Sequence, residues 1–147
     1  MMWVADWAWS LPLILLTVVI HVFGLGLINE RVVRALSRSM DRGRMVPLFA
    51  LVMGVAVLLV TGLHGIEGVA WAAAYRFLGA VPDAKSAMLY SLNAMTTYGH
   101  ESVSLAPHWQ LMGALEALNG MMLFGLTTAF LFSVIQGVWP MVKKYRN

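Results

Sequence analysis

Cysteine is absent from the 147 residues of the chain. Its absence excludes a disulfide framework, a metal site built from thiolates and a thiol nucleophile. Charged residues are also few, at 12% of the sequence, whereas a soluble domain carries about 25%. Hydrophobic residues reach 60%, and the mean hydropathy is +0.75. These values indicate a membrane protein with the length of a single domain.

The sequence also lacks the features of a cleaved secretory signal. Residues 1–10 hold three tryptophans and one aspartate, without a basic n-region or a small-residue cleavage site. Tryptophan is enriched where a membrane meets water. We therefore expect this segment to stay in the mature protein.

Three long apolar runs account for most of the chain. They lie at residues 11–28, at residues 46–63 with a continuation to residue 76, and at residues 110–138. A transmembrane helix needs about 20 residues, and the third run is long enough to cross with a tilt. The sequence therefore predicts an all-α membrane protein with three transmembrane helices.

Eight of the ten basic residues fall in two segments, residues 29–45 and the tail. They are Arg31, Arg34, Arg38, Arg42 and Arg44 in the first segment and Lys143, Lys144 and Arg146 in the second. Nucleic acid or anionic lipid binding could use such arginines, but the positive-inside rule explains them more simply. Three crossings place both segments in the cytoplasm and the N-terminus outside.

The stretch 84–103 lies between the second and third runs and is too polar at its end to cross a membrane. Pro82 and Asp83 predict a helix start. About twelve helical residues span about 18 Å, roughly half a bilayer. The apolar residues Met88, Leu89, Leu92 and Met95 have the spacing of one helix face. We interpret the stretch as a re-entrant helix and loop that face the outside.

The loop that follows this helix is Thr96-Thr97-Tyr98-Gly99-His100-Glu101. Irregular backbone at membrane depth is tolerated only where protein buries it or where it lines a water-filled path. Carbonyl groups of several such loops could replace the water shell of an ion. The negative end of the short helix dipole would favour a cation, and Glu67, Asp83 and Glu101 would concentrate cations at the outer mouth.

Polar and small residues in the third run are candidates for supporting such a path. Candidates for the cavity wall or the back of the loop are Glu116, Asn119, Thr127 and Thr128, and candidates for a hinge are Gly120 and Gly125. Small residues more commonly serve helix packing in lipid. Ala106-Pro107-His108-Trp109 is expected to return the chain to the outer surface.

Histidines inside the first two runs have a structural and a chemical interpretation. His21 is expected to be a packed, hydrogen-bonded side chain; the alternative is a functional role with a proton or a metal ion. His64 and Glu67 are three residues apart and share a helix face. The pair resembles part of a zinc site, but two ligands are too few, so we predict a structural polar pair.

Several of these pieces occur together in one known family. They are His64-x-x-Glu67-x-x-x-Trp71-Ala72, Ala87-Met88-Leu89-Tyr90-Ser91, Thr96-Thr97-x-Gly99, Trp109, Gly113-Ala114-Leu115-Glu116-Ala117-Leu118-Asn119-Gly120, Phe124-Gly125 and Thr128-Ala129-Phe130-Leu131-Phe132. Over residues 64–136 the chain resembles bacterial potassium channels with two helices and a pore loop. The resemblance implies a tetramer with a pore helix and a selectivity filter at 96–101.

The filter differs from the family pattern Thr-Thr-x-Gly-Tyr-Gly-Asp. Without gaps, Gly99 keeps the first glycine, whereas His100, Glu101 and Ser102 replace the last three residues. A two-residue deletion would instead align Tyr98-Gly99 with Tyr-Gly; the ungapped version keeps both flanks in register. Side chains resist the backbone angles that the second glycine adopts, so we expect the outer half of the filter to be reshaped.

Four copies of Glu101 would form an acidic ring, which is a feature of cation pores and could hold a hydrated or divalent cation. Clustered carboxylates favour proton uptake, and histidine changes charge near neutral pH. We therefore hypothesise that conduction depends on pH through His100 and Glu101.

The leading interpretation is a homotetrameric, potassium channel-like cation channel of the bacterial inner membrane. It would comprise an N-terminal helix and basic loop (1–45) and a pore module (46–147). We expect no enzyme activity, no cofactor and no resident metal besides the permeating cation, most simply K⁺. Membrane lipid is the expected partner, and nucleic acid is not.

Alternatives are a regulatory subunit of a heteromeric channel, or a non-selective or divalent channel. A membrane enzyme or metal site using His64, Glu67, His100, Glu101 and His108 is a third alternative.

Overall fold

A computed structural model describes residues 2–38, 45–99 and 103–146 of the chain. Helices dominate this part of the chain, and no strand occurs in it. The elements in order are α1 (Met2–Arg38), α2 (Met45–Phe77), α3 (Ala84–Met95), a 3₁₀ turn (Pro107–Trp109) and α4 (Gln110–Arg146). The predicted all-α class is confirmed.

Three of the helices are long and apolar enough to cross a membrane. Their candidate spans are Trp3–Ala35, Val46–Phe77 and Pro107–Gly137, so the prediction of three long apolar helices is confirmed, and their length and hydropathy fit a membrane protein. Large side chains such as Phe23 and Leu58 are each 72% exposed in the single chain. Lipid can cover such side chains, which explains why so many of them face outward.

Helix α1 is longer than its apolar run of residues 11–28 suggested. It continues through Arg38, so the first half of the expected basic loop is helical. Arg34 donates a hydrogen bond of 2.6 Å to the Glu30 carboxylate one turn earlier, an arrangement that supports a helix. Ile28 and Val32 are also buried, at the same spacing of four residues, and extend the packed face of α1 into the basic segment.

Helix α3 begins at the predicted N-cap. The Asp83 carboxylate accepts hydrogen bonds from the Ser86 backbone N–H at 2.9 Å and from the Ser86 hydroxyl at 2.6 Å. These two hydrogen bonds lower the pKa of Asp83, and the bond from the Ser86 hydroxyl has the larger effect. Such caps satisfy backbone donors that a helix start leaves free. The helix has 12 residues, a third of the length of α4.

The face of α3 that packs within the chain shares only Met95 with the apolar face identified from the sequence. The buried residues are Ala87, Tyr90, Ser91, Ala94 and Met95, whereas Leu89 and Leu92 are 43% and 39% exposed. Small side chains on the buried face let α2 and α4 approach α3 closely. The leucines are therefore left on the outer surface of the single chain.

Two apolar clusters form the core at opposite ends of the helices. One joins α1, α2 and α4 through Leu25, Ile28, Val32, Ala56, Val60, Leu63 and Val134. The other surrounds α3 and includes Trp71, Ala72, Tyr75, Ala80, Val81, Ala87, Tyr90, Ala94, Leu105 and Met112. Polar residues of α1, α2 and α4 occupy the level between the two clusters.

Glycines on α4 set its distance from α3. An added Cβ at Gly120 would overlap the backbone of Met95, and one at Gly113 would overlap the Tyr90 hydroxyl. An added Cβ at Gly125 would meet nothing within 4 Å. Helix α4 runs without interruption through both candidate hinge positions, and Gly120 has a packing role at the contact with α3.

Candidate functional site

The segment Thr96–Gly99, called the loop segment below, directly follows α3. Its backbone N–H groups turn back to the end of the helix: those of Thr97 and Tyr98 donate to the carbonyls of Ala94 and Asn93, each at 3.0 Å. Thr97 has φ 56° and Gly99 has φ 99°, in the left-handed region that favours glycine. For Thr97 this conformation costs roughly 1–2 kcal/mol.

The loop segment lies on the surface of the single chain. Thr96, Thr97, Tyr98 and Gly99 are all exposed, and Tyr98 is 84% exposed. The left-handed Thr97 and the two hydrogen bonds to Asn93 and Ala94 form the Schellman motif that commonly ends an α-helix. The other predicted filter residues, His100 and Glu101, lie outside the described residues.

Glu116 of α4 lies behind α3, in a fully buried position. Its carboxyl group accepts a hydrogen bond of 2.5 Å from the Tyr75 hydroxyl of α2. It is also 2.5 Å from the Ser91 hydroxyl of α3, which lies 2.9 Å from the Gly68 carbonyl oxygen. These contacts join α2, α3 and α4, so Glu116 holds α3 against the two long helices.

Asn119 faces α1. Its side-chain amide donates a hydrogen bond of 2.8 Å to the Thr17 hydroxyl, and both residues are fully buried. Near the N-terminal end of α1, the Asp6 carboxylate accepts a hydrogen bond of 3.1 Å from the backbone N–H of Met112. The carboxylate thus satisfies a free donor in the first turn of α4 and opposes the positive end of its dipole.

Sequence reasoning missed the polar face of α1 that makes these contacts. Asp6, Ser10, Thr17 and His21 are all buried. They are separated by four, seven and four residues, which places them on one side of a helix. This spacing within an otherwise apolar run was the signal that could have identified a helix packed against other helices.

His21, His64, Glu67 and Thr127 form a buried polar group, called the histidine cluster below. The two Nδ1 atoms lie at 2.8 Å (His21) and 3.0 Å (His64) from the two carboxylate oxygens of Glu67. The two Nε2 atoms lie at 3.1 Å (His21) and 3.2 Å (His64) from the Thr127 hydroxyl. These four contacts form a closed ring that joins α1, α2 and α4.

The predicted pair His64 and Glu67 therefore belongs to a larger set. His21 joins it from α1, 46 residues away from Glu67 in sequence. The His64 ring also stacks on Phe124, with ring centroids 4.3 Å apart. Thr127 is a member of this cluster, whereas Thr128 is exposed and bonds to the Phe124 carbonyl of its own helix at 2.9 Å.

His108 does not belong to the histidine cluster. It is an exposed residue of the 3₁₀ turn, beside Trp109. Nineteen residues separate it from Thr127, or roughly 28 Å along α4. Among the described members of the proposed set, His64, Glu67 and His108, the structure brings together His64 and Glu67; His100 and Glu101 lie outside the described residues.

No protein-family model matches the chain, and no curated protein or solved structure shows significant similarity to it.

Proposed function

We propose that the protein is a cation channel, in which several copies surround a path lined by their loop segments. The single observation that carries this proposal is the position of the short helix α3. It lies in sequence between two helices that are long and apolar enough to span a membrane, and it ends in an exposed loop segment with left-handed residues. Helix–loop units of this kind are expected where irregular backbone lines a water-filled path within a membrane.

The contacts of α3 support a re-entrant position. The Ala106 backbone N–H donates to the Ala80 carbonyl at 3.0 Å, so the segments before and after the α3 unit meet on one side. The C-terminal end of α3 packs on Gly120, ten residues into α4. That distance is about 15 Å, half of the hydrocarbon thickness of about 30 Å. The loop segment would then lie near the middle of the membrane.

Electrostatics favours a cation at this position. The C-terminal end of a helix carries a partial negative charge, and α3 would direct this end towards the membrane interior. Backbone carbonyl groups can replace the hydration shell of a potassium ion. We infer that Thr96 to Gly99, with His100 and Glu101, form the selectivity filter and that K⁺ is the principal permeating ion.

One loop segment cannot enclose an ion, so the path requires several copies. Closed rings are the usual symmetric solution, and four copies are the number that the family resemblance implies. Exposed Leu89, Leu92 and Tyr98 offer surface for neighbouring copies. The basic residues of 29–45 and of the tail favour an inner-membrane protein with its C-terminus in the cytoplasm.

The test is ion flux through purified protein in liposomes, with a K⁺, Na⁺ or Ca²⁺ gradient in separate preparations. We expect K⁺ flux that changes between pH 5 and pH 8, because His100 and Glu101 lie in the predicted filter. Gly99→Ala should reduce flux at least tenfold, because alanine resists the φ of 99°.

Gly54→Ala of α2 is the matched control, since its new Cβ meets nothing within 4 Å; its flux should equal that of wild type. Absence of flux at every pH, from protein verified as a folded oligomer, would contradict a channel. A flux that is flat from pH 5 to pH 8 would contradict the pH hypothesis alone.

A regulatory, non-conducting subunit is the second candidate function. The replacement of the second filter glycine by Glu101 in the ungapped comparison favours it, because a glutamate resists the required backbone angles. Co-purification of a second pore-loop protein from native membranes, together with absence of flux from the pure chain, would support this alternative.

A further inference from the structure

The histidine cluster is separate from the loop segment and has no part in the proposed ion path. Glu67 and His21 are fully buried, and His64 is 9% exposed. In the described ranges, the buried polar residues include no lysine or arginine. A lone carboxylate among apolar helices is costly within a membrane. The Glu67 carboxylate therefore needs a positive charge from another source.

The four contacts of the histidine cluster need four hydrogens, but only three are available when both imidazoles are neutral. If both imidazoles are neutral and donate from Nδ1 to Glu67, both Nε2 atoms are acceptors that need a hydrogen. The Thr127 hydroxyl has one hydrogen and can serve only one of them. Three hydrogens thus serve four contacts, and the carboxylate charge remains uncompensated. Uptake of a cation removes the shortage of hydrogens and compensates the carboxylate; a proton leaves the cluster neutral, and a divalent ion leaves it with one positive charge.

We propose that His21, His64 and Glu67 bind a divalent transition metal ion of the zinc class. One donor atom from each residue lies within 4.8 Å of the other two. Two imidazole nitrogens with one carboxylate oxygen are a donor set that zinc uses in sites with an open fourth position. The sequence offered only His64 and Glu67 as neighbours, and α1 supplies the third ligand.

The contacts with Thr127 fit this assignment. When Nδ1 of each ring binds the metal, each Nε2 carries the hydrogen and donates it outward. Both Nε2 atoms lie within 3.2 Å of the same Thr127 oxygen, and a hydroxyl oxygen can accept two hydrogen bonds. Metal-binding histidines commonly donate their second N–H in this way, which fixes the ring orientation. Every ring nitrogen then has a partner.

Metal binding would set the spacing of the three donor atoms. Zinc–nitrogen bonds of about 2.0–2.1 Å place tetrahedral donors about 3.3 Å apart, and one donor atom from each residue lies within 4.8 Å of the other two. The two Nδ1 atoms now lie 2.8 and 3.0 Å from separate oxygens of Glu67. The ion would occupy the space between the three side chains and tie α1 to α2 beside α4.

The experiment is a titration of the full chain with Co²⁺ and then Zn²⁺, in detergent and metal-free buffer, with a purification tag that contains no histidine. We expect one ion per chain, a visible Co²⁺ absorption band that Zn²⁺ abolishes, and a higher unfolding temperature with metal. His21→Gln and Glu67→Gln should each weaken binding more than about 100-fold. His108→Gln, which changes an exposed histidine outside the cluster, should bind as wild type does.

Thr127→Val and Thr128→Val form the second matched pair. Loss of the shared hydroxyl should weaken binding about 10–100-fold, whereas Thr128→Val should bind as wild type does. This pair and the wild-type titration remain decisive if the ligand variants do not fold. Folded wild type that takes up no metal would overturn the site. Equal binding by all folded variants would show an adventitious ion only.

Discussion

At the scale of single residues, close contact between α3 and α4 depends on two glycines of α4, which have no side chain. Gly120 lies against the backbone of Met95, and Gly113 lies against the Tyr90 ring. A backbone cannot rotate away as a flexible side chain can, so Gly120 has the stricter size limit. The position of the loop segment therefore depends on Gly120, although it lies outside that segment.

Gly120→Ala is expected to destabilise the protein by about 1–3 kcal/mol, as overpacking of a closely packed interior does. Gly125→Ala should leave the free energy of unfolding unchanged or slightly increased, because alanine is the better helix former. Unfolding followed by tryptophan fluorescence in mixed micelles measures both. Equal stability of the two variants would show that α3 and α4 are not in direct backbone contact at Gly120.

At the scale of elements, α1 is held to the other helices by specific polar contacts. Apolar surface alone gives little drive for association in lipid, so hydrogen bonds and close packing determine its position. Contacts to Met112, Asn119 and Thr127 of α4 are distributed along α1 from Asp6 to His21. They fix both the rotation and the depth of α1.

The Thr17–Asn119 contact allows a double-mutant test of this docking. Thr17→Val should destabilise the fold by about 1–3 kcal/mol, because it leaves the buried Asn119 amide without its acceptor. Adding Asn119→Leu should restore part of the loss, since no buried amide then remains. Thr61→Val on the exposed side of α2 is the control and should be neutral. Additive effects of the two changes would contradict the contact.

The sequence predicted the elements better than their contacts. A bilayer sets the length and hydropathy of a crossing, so the three spans could be read directly, and Pro82 with Asp83 defined the start of α3. The partner of His21 is 46 residues away, and no local pattern gives such a pairing. The spacing of the apolar residues in α3 did not show which face packs within the chain, because that face depends on contacts with α2 and α4 that no local pattern gives.

At the scale of the whole molecule, the proposed channel requires the loop segments of several copies to meet. The absence of native cysteine makes this directly testable. Tyr98→Cys is expected to give covalent oligomers with a short bismaleimide reagent in native membranes, because Tyr98 is 84% exposed beside the proposed axis. Phe23→Cys, 72% exposed on α1, should remain monomeric on denaturing gels. Cross-linking of both to the same extent would contradict a central position for the loop segment.

The polar face of α1 also has a consequence for the order of events during synthesis. Thr17 precedes its partner Asn119 by 102 residues, and the partners of Asp6 and His21 on α4 emerge equally late. At about 5–20 residues per second, α1 waits roughly 5–20 seconds for the last helix. During that interval, the polar side chains of α1 lack the hydrogen-bond partners that α4 later supplies. A chain truncated before α4 would therefore expose the polar groups of Asp6 and Thr17, which α4 covers in the complete fold.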